Sequence, residues 1–214
     1  MRIGGQSGRS KDERMEFFRR NGIDHDLVYS ALLSHSADVA EVGKDSPFLL
    51  AGVDSLTTAE KNTFLSVTVA DCYPVFFYDC RRKIAGLAHA GWRGISGGII
   101  ANTIYSIKKL GGDPENIFVS IGPGIGRDHF EFGLADAQKF FPEYLDEKYM
   151  SPGKNGKIFM DLPSIIADQL GKSGVDKKNI EISGECTFCQ KEYFSFRRDR
   201  SDPLEAMMAV IGMK

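Results

Sequence analysis

A chain of 214 residues with 27 Lys and Arg against 29 Asp and Glu carries a formal net charge of −2. That balance argues against a general nucleic-acid binder, which presents a strongly basic face. Apolar and charged fractions of 42% and 26% argue against gross disorder. One domain of this length buries roughly 70% of the surface its unfolded chain exposes, so its core needs no covalent staples.

No apolar run approaches the ~18 residues that span a bilayer. The opening MRIGGQSGRSKDERMEFF has basic residues without the apolar segment of a secretory leader. A cytoplasmic protein is expected, with no membrane and no nucleic-acid partner. Cys72, Cys80, Cys186 and Cys189 are too few and too scattered for a disulfide scaffold.

In chain order, Ser10 and Glu13 form a capping box for a helix that carries Met15, Phe17 and Phe18 and stops at Gly22. Residues 27–42 alternate loosely and read as one or two strands, with His35 near a break between them. Residues 54–62 are polar and are expected as a loop. Segments 63–69 and 73–78 read as strands, and Pro74, which cannot donate to a ladder, marks a strand start or an edge. Arg81 and Arg82 form a hairpin tip before a strand over 83–88.

After the Gly-rich HAGWRGISGG, Ile100, Ile104 and Ile107 keep helical spacing, with Ser96 as expected N-cap and Gly111 as stop. A strand over 116–121 ends in GPGIG. Helices follow over 135–141 and 161–170, the second capped by Asp161 with Pro163 in its first turn. Strands over 180–183, 193–196 and 207–211 complete an α/β (α+β) chain of a single domain, 1–214, with a mixed sheet system.

Few residues here carry chemistry. His35 follows a strand, His89 ends one, and Cys72 sits at a junction between two. A thiolate with two imidazoles makes a three-ligand zinc set with an open fourth position, and copper suits the same donors. Spacing alone favours a buried Cys and two hydrogen-bonded His, because no short local motif joins them. Cys72 activated by His89 is a second chemistry on the same atoms. Asp71, which would orient the imidazole, is otherwise a turn former.

In His89-Ala-Gly-Trp-Arg-Gly94, glycines between a strand and a helix leave amides open to an anion, and Arg93 adds a bidentate donor. A tight turn with Trp92 in the core explains the segment about equally well. GPGIG reads as a structural turn that shapes a pocket wall. His129 and Glu131 fit a half-exposed strand, Cys186-Thr-Phe-Cys189 reads as incidental spacing, and Arg197, Arg198 and Arg200 read as a solvated face.

Taken together, ADCYPVFFYD, AHAGWRGISGGI, IGPGIG and FSFRRD resemble the laccase-domain or YfiH-like family, whose members are named multicopper polyphenol oxidases or purine nucleoside phosphorylases. The resemblance runs from about residue 30 onward. It implies a mixed β-sandwich with flanking helices, and one metal held by His35, Cys72 and His89, usually zinc, alternatively copper. SHSADVAEV only approximates the family's Q-V-H-G stretch around that first histidine.

The resemblance also implies phosphorolysis of purine nucleosides, methylthioadenosine included, with adenosine deamination in the same pocket. Nucleoside and phosphate are then the small-molecule partners. Arg93 and the amides from Gly94 to Gly97 are expected to hold phosphate, Cys72 and His89 to serve catalysis through the metal, and Asp71 to shuttle protons. Against the family pattern, the N-terminal portion is shortened, and Ser201-Asp202-Pro203-Leu204 replaces T-G-R. A copper polyphenol oxidase is the rival, but four histidines in the whole chain cannot furnish several copper sites. A metal-free Cys–His hydrolase and a structural zinc domain are further alternatives. Monomer and dimer both remain open.

Overall fold

The computed structural model describes residues 2–3 and 8–214, with side chains from residue 12 onward. In chain order the first elements are β1 (Arg2–Ile3), α1 (Gly8–Arg20), β2 (Val28–Leu32), β3 (Val39–Glu41), β4 (Leu49–Ala51), β5 (Ser55–Thr58) and β6 (Thr63–Val69). Then come β7 (Tyr73–Asp79), β8 (Ile84–Ala90), α2 (Trp92–Ser96), α3 (Ile99–Lys109), β9 (Ile117–Ile121), β10 (Glu131–Gly133) and α4 (Leu134–Phe140). The last are β11 (Met150–Pro152), β12 (Lys157–Met160), α5 (Leu162–Lys172), β13 (Ile180–Ile182), α6 (Phe196–Asp199), β14 (Leu204–Glu205) and β15 (Met207–Met213).

The β7–β8 hairpin is the organising unit. Its tip forms where Arg81 and Arg82 were expected, because the Asp79 carboxylate accepts both of their amides at 2.9 Å. Its partners extend it into a six-stranded mixed sheet in the order β13-β9-β7-β8-β5-β3. Pro74 lies ahead of the residues that pair with β9, where the register starts at Val75 opposite Ile121, so its missing N–H costs that ladder nothing. Every residue of β8 is buried, since Ala85, Gly86, Ala88 and Ala90 are small enough for layers to close over both faces.

One face of this sheet packs on a four-stranded sheet, β15-β6-β2-β4, through Leu56, Leu87 and Ala85 against Leu65, Val67 and Val69. The other face takes α3 through Ile100, Ile104 and Ile107, and α5 through Ile165, Ile166 and Leu170. The result is a helix layer on two stacked sheets, the mixed β-sandwich with flanking helices that was expected. A small sheet, β10-β12-β11, and the β1–β14 pair complete it.

Several expectations need correction. The helix α1 begins at Gly8, so Ser10 lies inside it, and the Ser10 side chain falls outside the described residues. Ser96 does not cap α3: it ends α2, with its hydroxyl turned back to the Arg93 carbonyl at 3.0 Å. Gly98 takes the cap at φ 89°, a left-handed conformation in which Cβ-bearing residues are strained.

The polar stretch 54–62 contains a strand, β5, because Ser55, Thr57 and Thr58 find partners for their hydroxyls at the Leu87 carbonyl, Ser106 and the Val42 carbonyl. Residues 193–196 form no strand. Ser195 accepts the Arg198 amide at 3.2 Å and starts the one-turn helix α6, so capping chemistry overrides the aromatic alternation. No helix among the described residues is long and apolar enough to cross a membrane.

Candidate metal centre

Three separate pieces of chain converge at one end of the sandwich. His35 stands in the turn between β2 and β3, Cys72 just before β7, and His89 near the end of β8. One ligand atom from each lies within 4.8 Å of the others. The two imidazoles meet edge to face with centroids 4.9 Å apart. His89 is buried, Cys72 half-buried and His35 exposed, so the cluster opens to solvent on the His35 side.

A residue that the sequence reading passed over holds this arrangement. Asp54, fully buried, accepts the backbone amides of Ser34 and His35 at 3.0 Å and of Ser36 at 2.8 Å. Its Oδ1 also sits 2.7 Å from His89 Nδ1. That bond fixes the ring and leaves Nε2 as the free ligand atom. By accepting the Ser34, His35 and Ser36 amides, Asp54 also holds His35 at φ 58°, a conformation that costs a non-glycine residue of order 1–3 kcal/mol. Burial alone would raise the Asp54 carboxyl, but the His89 ring and the Ser36 and Ser34 amides hold it well below the usual carboxylate range. An isolated Asp heading a polar stretch carries no sequence signal; only the fold reveals it.

The donor chemistry suits a cation. Burial pushes the Cys72 thiol up, yet the His35 and His89 rings outweigh it and bring it down to about 7. Burial likewise lowers His89, but Asp54 and the Cys72 sulfur raise it to about 9. A sulfur and two ring nitrogens thus converge within reach of a single ion. The cradle has no room for a side chain: a Cβ on Gly91 would stand 3.0 Å from Cys72 Sγ, 3.5 Å from His35 and 3.6 Å from His89. The residues present therefore fit a thiophilic metal with an open coordination position.

The cluster forms the floor of a cleft of about 420 Å³. Trp92, Phe130, Phe132 and Phe196 supply aromatic walls, Ile125 of the GPGIG turn and Leu204 add aliphatic ones, and Arg93 and Arg197 supply positive charge. Arg93 is exposed, stacks on Trp92 at 4.3 Å, and pairs with no acidic side chain among the described residues.

The backbone amides between Gly94 and Gly97 behave differently from expectation. Those of Ile95 and Gly97 bond to the carbonyls of Gly91 and Arg93, which removes them from a phosphate cradle. Gly94 is needed for packing, since a Cβ there would come within 2.8 Å of the Ser36 carbonyl.

Asp71 lines the cleft, but both carboxylate oxygens are taken, one by the Thr187 hydroxyl and one by the Arg197 amide, each at 2.7 Å. The arginine cluster divides. Arg197 turns inward over Phe130, toward the His129 and Glu131 carbonyls. Arg198 gathers the carbonyls of Thr187, Phe188, Gln190 and Tyr193 and lines no cleft wall. Neither is a solvated face. Cys186 and Cys189, read as incidental spacing, are brought together with His129, their ligand atoms again within 4.8 Å of one another.

Comparison with known proteins places this geometry in a family. A protein from Deinococcus radiodurans named purine nucleoside phosphorylase is 34% identical over 160 residues, which is 75% of this chain and 61% of that protein. A protein from an unknown prokaryotic organism named adenosine deaminase RL5 is 29% identical over 207 residues, 92% of this chain and 79% of that one. The crystal structure of the Bacillus licheniformis hypothetical protein YfiH superposes with a TM-score of 0.88 at 30% identity, covering 95% of this chain and 80% of that one. The family model described as multi-copper polyphenol oxidoreductase laccase matches residues 3–214, and the chain belongs to that family.

Proposed function

We propose that this chain is a metal-dependent purine nucleoside phosphorylase that also deaminates adenosine. The observation that carries the reading is the meeting of a His–Cys–His donor set with an aromatic cleft whose rim bears Arg93, paired with no acidic side chain among the described residues. The activities named for the Deinococcus and RL5 relatives agree with it. His35, Cys72 and His89 would hold the metal, most simply zinc, which when bound supplies a Lewis acid and an acidified water.

The chain's own residues account for the remainder. The rings of Trp92, Phe130, Phe132 and Phe196 offer stacking faces to a purine and exclude water from it. Arg93, rigidified on Trp92, would hold phosphate by two parallel hydrogen bonds and align it on the ribose. Phosphorolysis then breaks the bond from C1′ to the purine nitrogen, forms one from C1′ to a phosphate oxygen, and leaves the protonated base.

Arg197, which also lines the cleft, would add positive charge toward the same anion. Asp71, with both oxygens engaged, acts as a positioning residue that fixes Cys72 and Arg197 relative to each other. Four unbridged cysteines agree with a reducing, cytoplasmic setting.

The test is product identity. Purified protein incubated with adenosine, inosine, guanosine or methylthioadenosine, with and without phosphate, is analysed by mass. Free base with ribose or methylthioribose 1-phosphate should form only when phosphate is present, and adenosine should yield inosine in either case. Unchanged nucleosides under every condition would overturn the proposal.

A further inference from the structure

The fold builds a second donor cluster that the cleft chemistry does not use. His129, in the turn of residues 127–129, and the Cys186–Cys189 turn lie far apart in sequence, yet His129 Nε2 stands 3.1 Å from Cys189 Sγ. The ring is locked by stacking on Phe188, centroids 4.2 Å apart and planes 19° apart. The Gly126 amide donates to Cys186 Sγ at 3.1 Å and so fixes where that sulfur sits. The amides of Cys189 and Gln190 both turn back to the Cys186 carbonyl, which points the two sulfurs to one side.

From this geometry we infer that His129, Cys186 and Cys189 form a second metal site, taking a thiophilic divalent cation of the zinc class. Two sulfurs and one imidazole are an established zinc donor set, and solvent at the exposed Cys189 completes the tetrahedron. Binding displaces the two thiol protons to solvent and forms two metal–sulfur bonds and one metal–nitrogen bond, with no redox change.

The position gives the site a purpose. Its two arms are the segments that build one wall of the cleft: the His129 carbonyl accepts from Arg197, and Thr187, between the cysteines, holds Asp71 beside Cys72. A metal here staples these arms together. The inference holds whether or not the cleft acts on nucleosides.

The experiment compares metal content per chain in wild type, Cys189→Ser and Cys72→Ala, each loaded with zinc and passed through a desalting column under reductant. Cys189→Ser and His129→Gln should each lose about one metal ion relative to wild type, whereas Cys72→Ala keeps the ion at His129, Cys186 and Cys189. Cobalt substitution gives a readout independent of activity: sulfur-to-cobalt charge-transfer absorption in Cys72→Ala that vanishes in Cys72→Ala/Cys189→Ser. Equal metal content in wild type and Cys189→Ser would overturn the inference. So would a Cys186–Cys189 disulfide that persists under reductant with no metal bound.

Discussion

The Asp54 carboxylate accepts hydrogen bonds from three consecutive residues of the His35 turn and from the His89 ring, so a single buried anion orients two of the three donors. Outer-shell carboxylates of this kind are worth about 10–100-fold in metal affinity. Asp54→Asn should therefore weaken zinc binding by that factor in a metal-buffered titration, and unchanged affinity would contradict the assignment. At the rim, Arg93→Ala should raise the KM for phosphate far more than it lowers kcat, with Arg93→Lys recovering only part because it cannot make the paired hydrogen bonds. Steady-state kinetics with phosphate varied checks this. Cys72 and His89 were legible in the sequence through ADCYP and HAGWRG, and His35 only through the looser match of SHSADVAEV to the family pattern. Asp54 and the role of Asp71 were not, because their meaning lies in hydrogen bonds to Ser36 and Thr187, residues remote in sequence.

The elements most easily read from the chain were those whose pattern and burial agree. In α3, Ile100, Ile104 and Ile107 are buried in the order their spacing predicts, and the β7–β8 hairpin forms at its charged tip. Reading failed where polar residues are buried or where a cap outweighs alternation, as in β5 and α6. The boundary between α2 and α3 is a case in point, since the chain turns there through a left-handed Gly98 rather than a serine cap. Gly98→Ala has open space around it, so backbone conformation alone sets its cost. Urea denaturation should show a loss of about 1–2 kcal/mol, with metal content unchanged. A neutral result would mean that the turn relaxes out of the left-handed region at no cost.

The sandwich joins the parts of the site by stacking layers around the central sheet, which delivers His89 on β8, Cys72 at the start of β7 and the His35 turn to one end. Phe77, fully buried on β7 beneath the helix layer, belongs to the core under this sheet. Phe77→Ala should cost about 3–5 kcal/mol, read as a lowered denaturation midpoint, with Asp54 and the metal ligands chemically intact. The claim on which the function rests is that the His35–Cys72–His89 centre is required for phosphorolysis. Its most direct measurement is inosine turnover with saturating phosphate by Cys72→Ala and by wild type, with metal content determined on the same samples. The account predicts that Cys72→Ala loses the cleft metal and forms no detectable hypoxanthine while staying folded. Wild-type turnover by Cys72→Ala lacking that metal would contradict it.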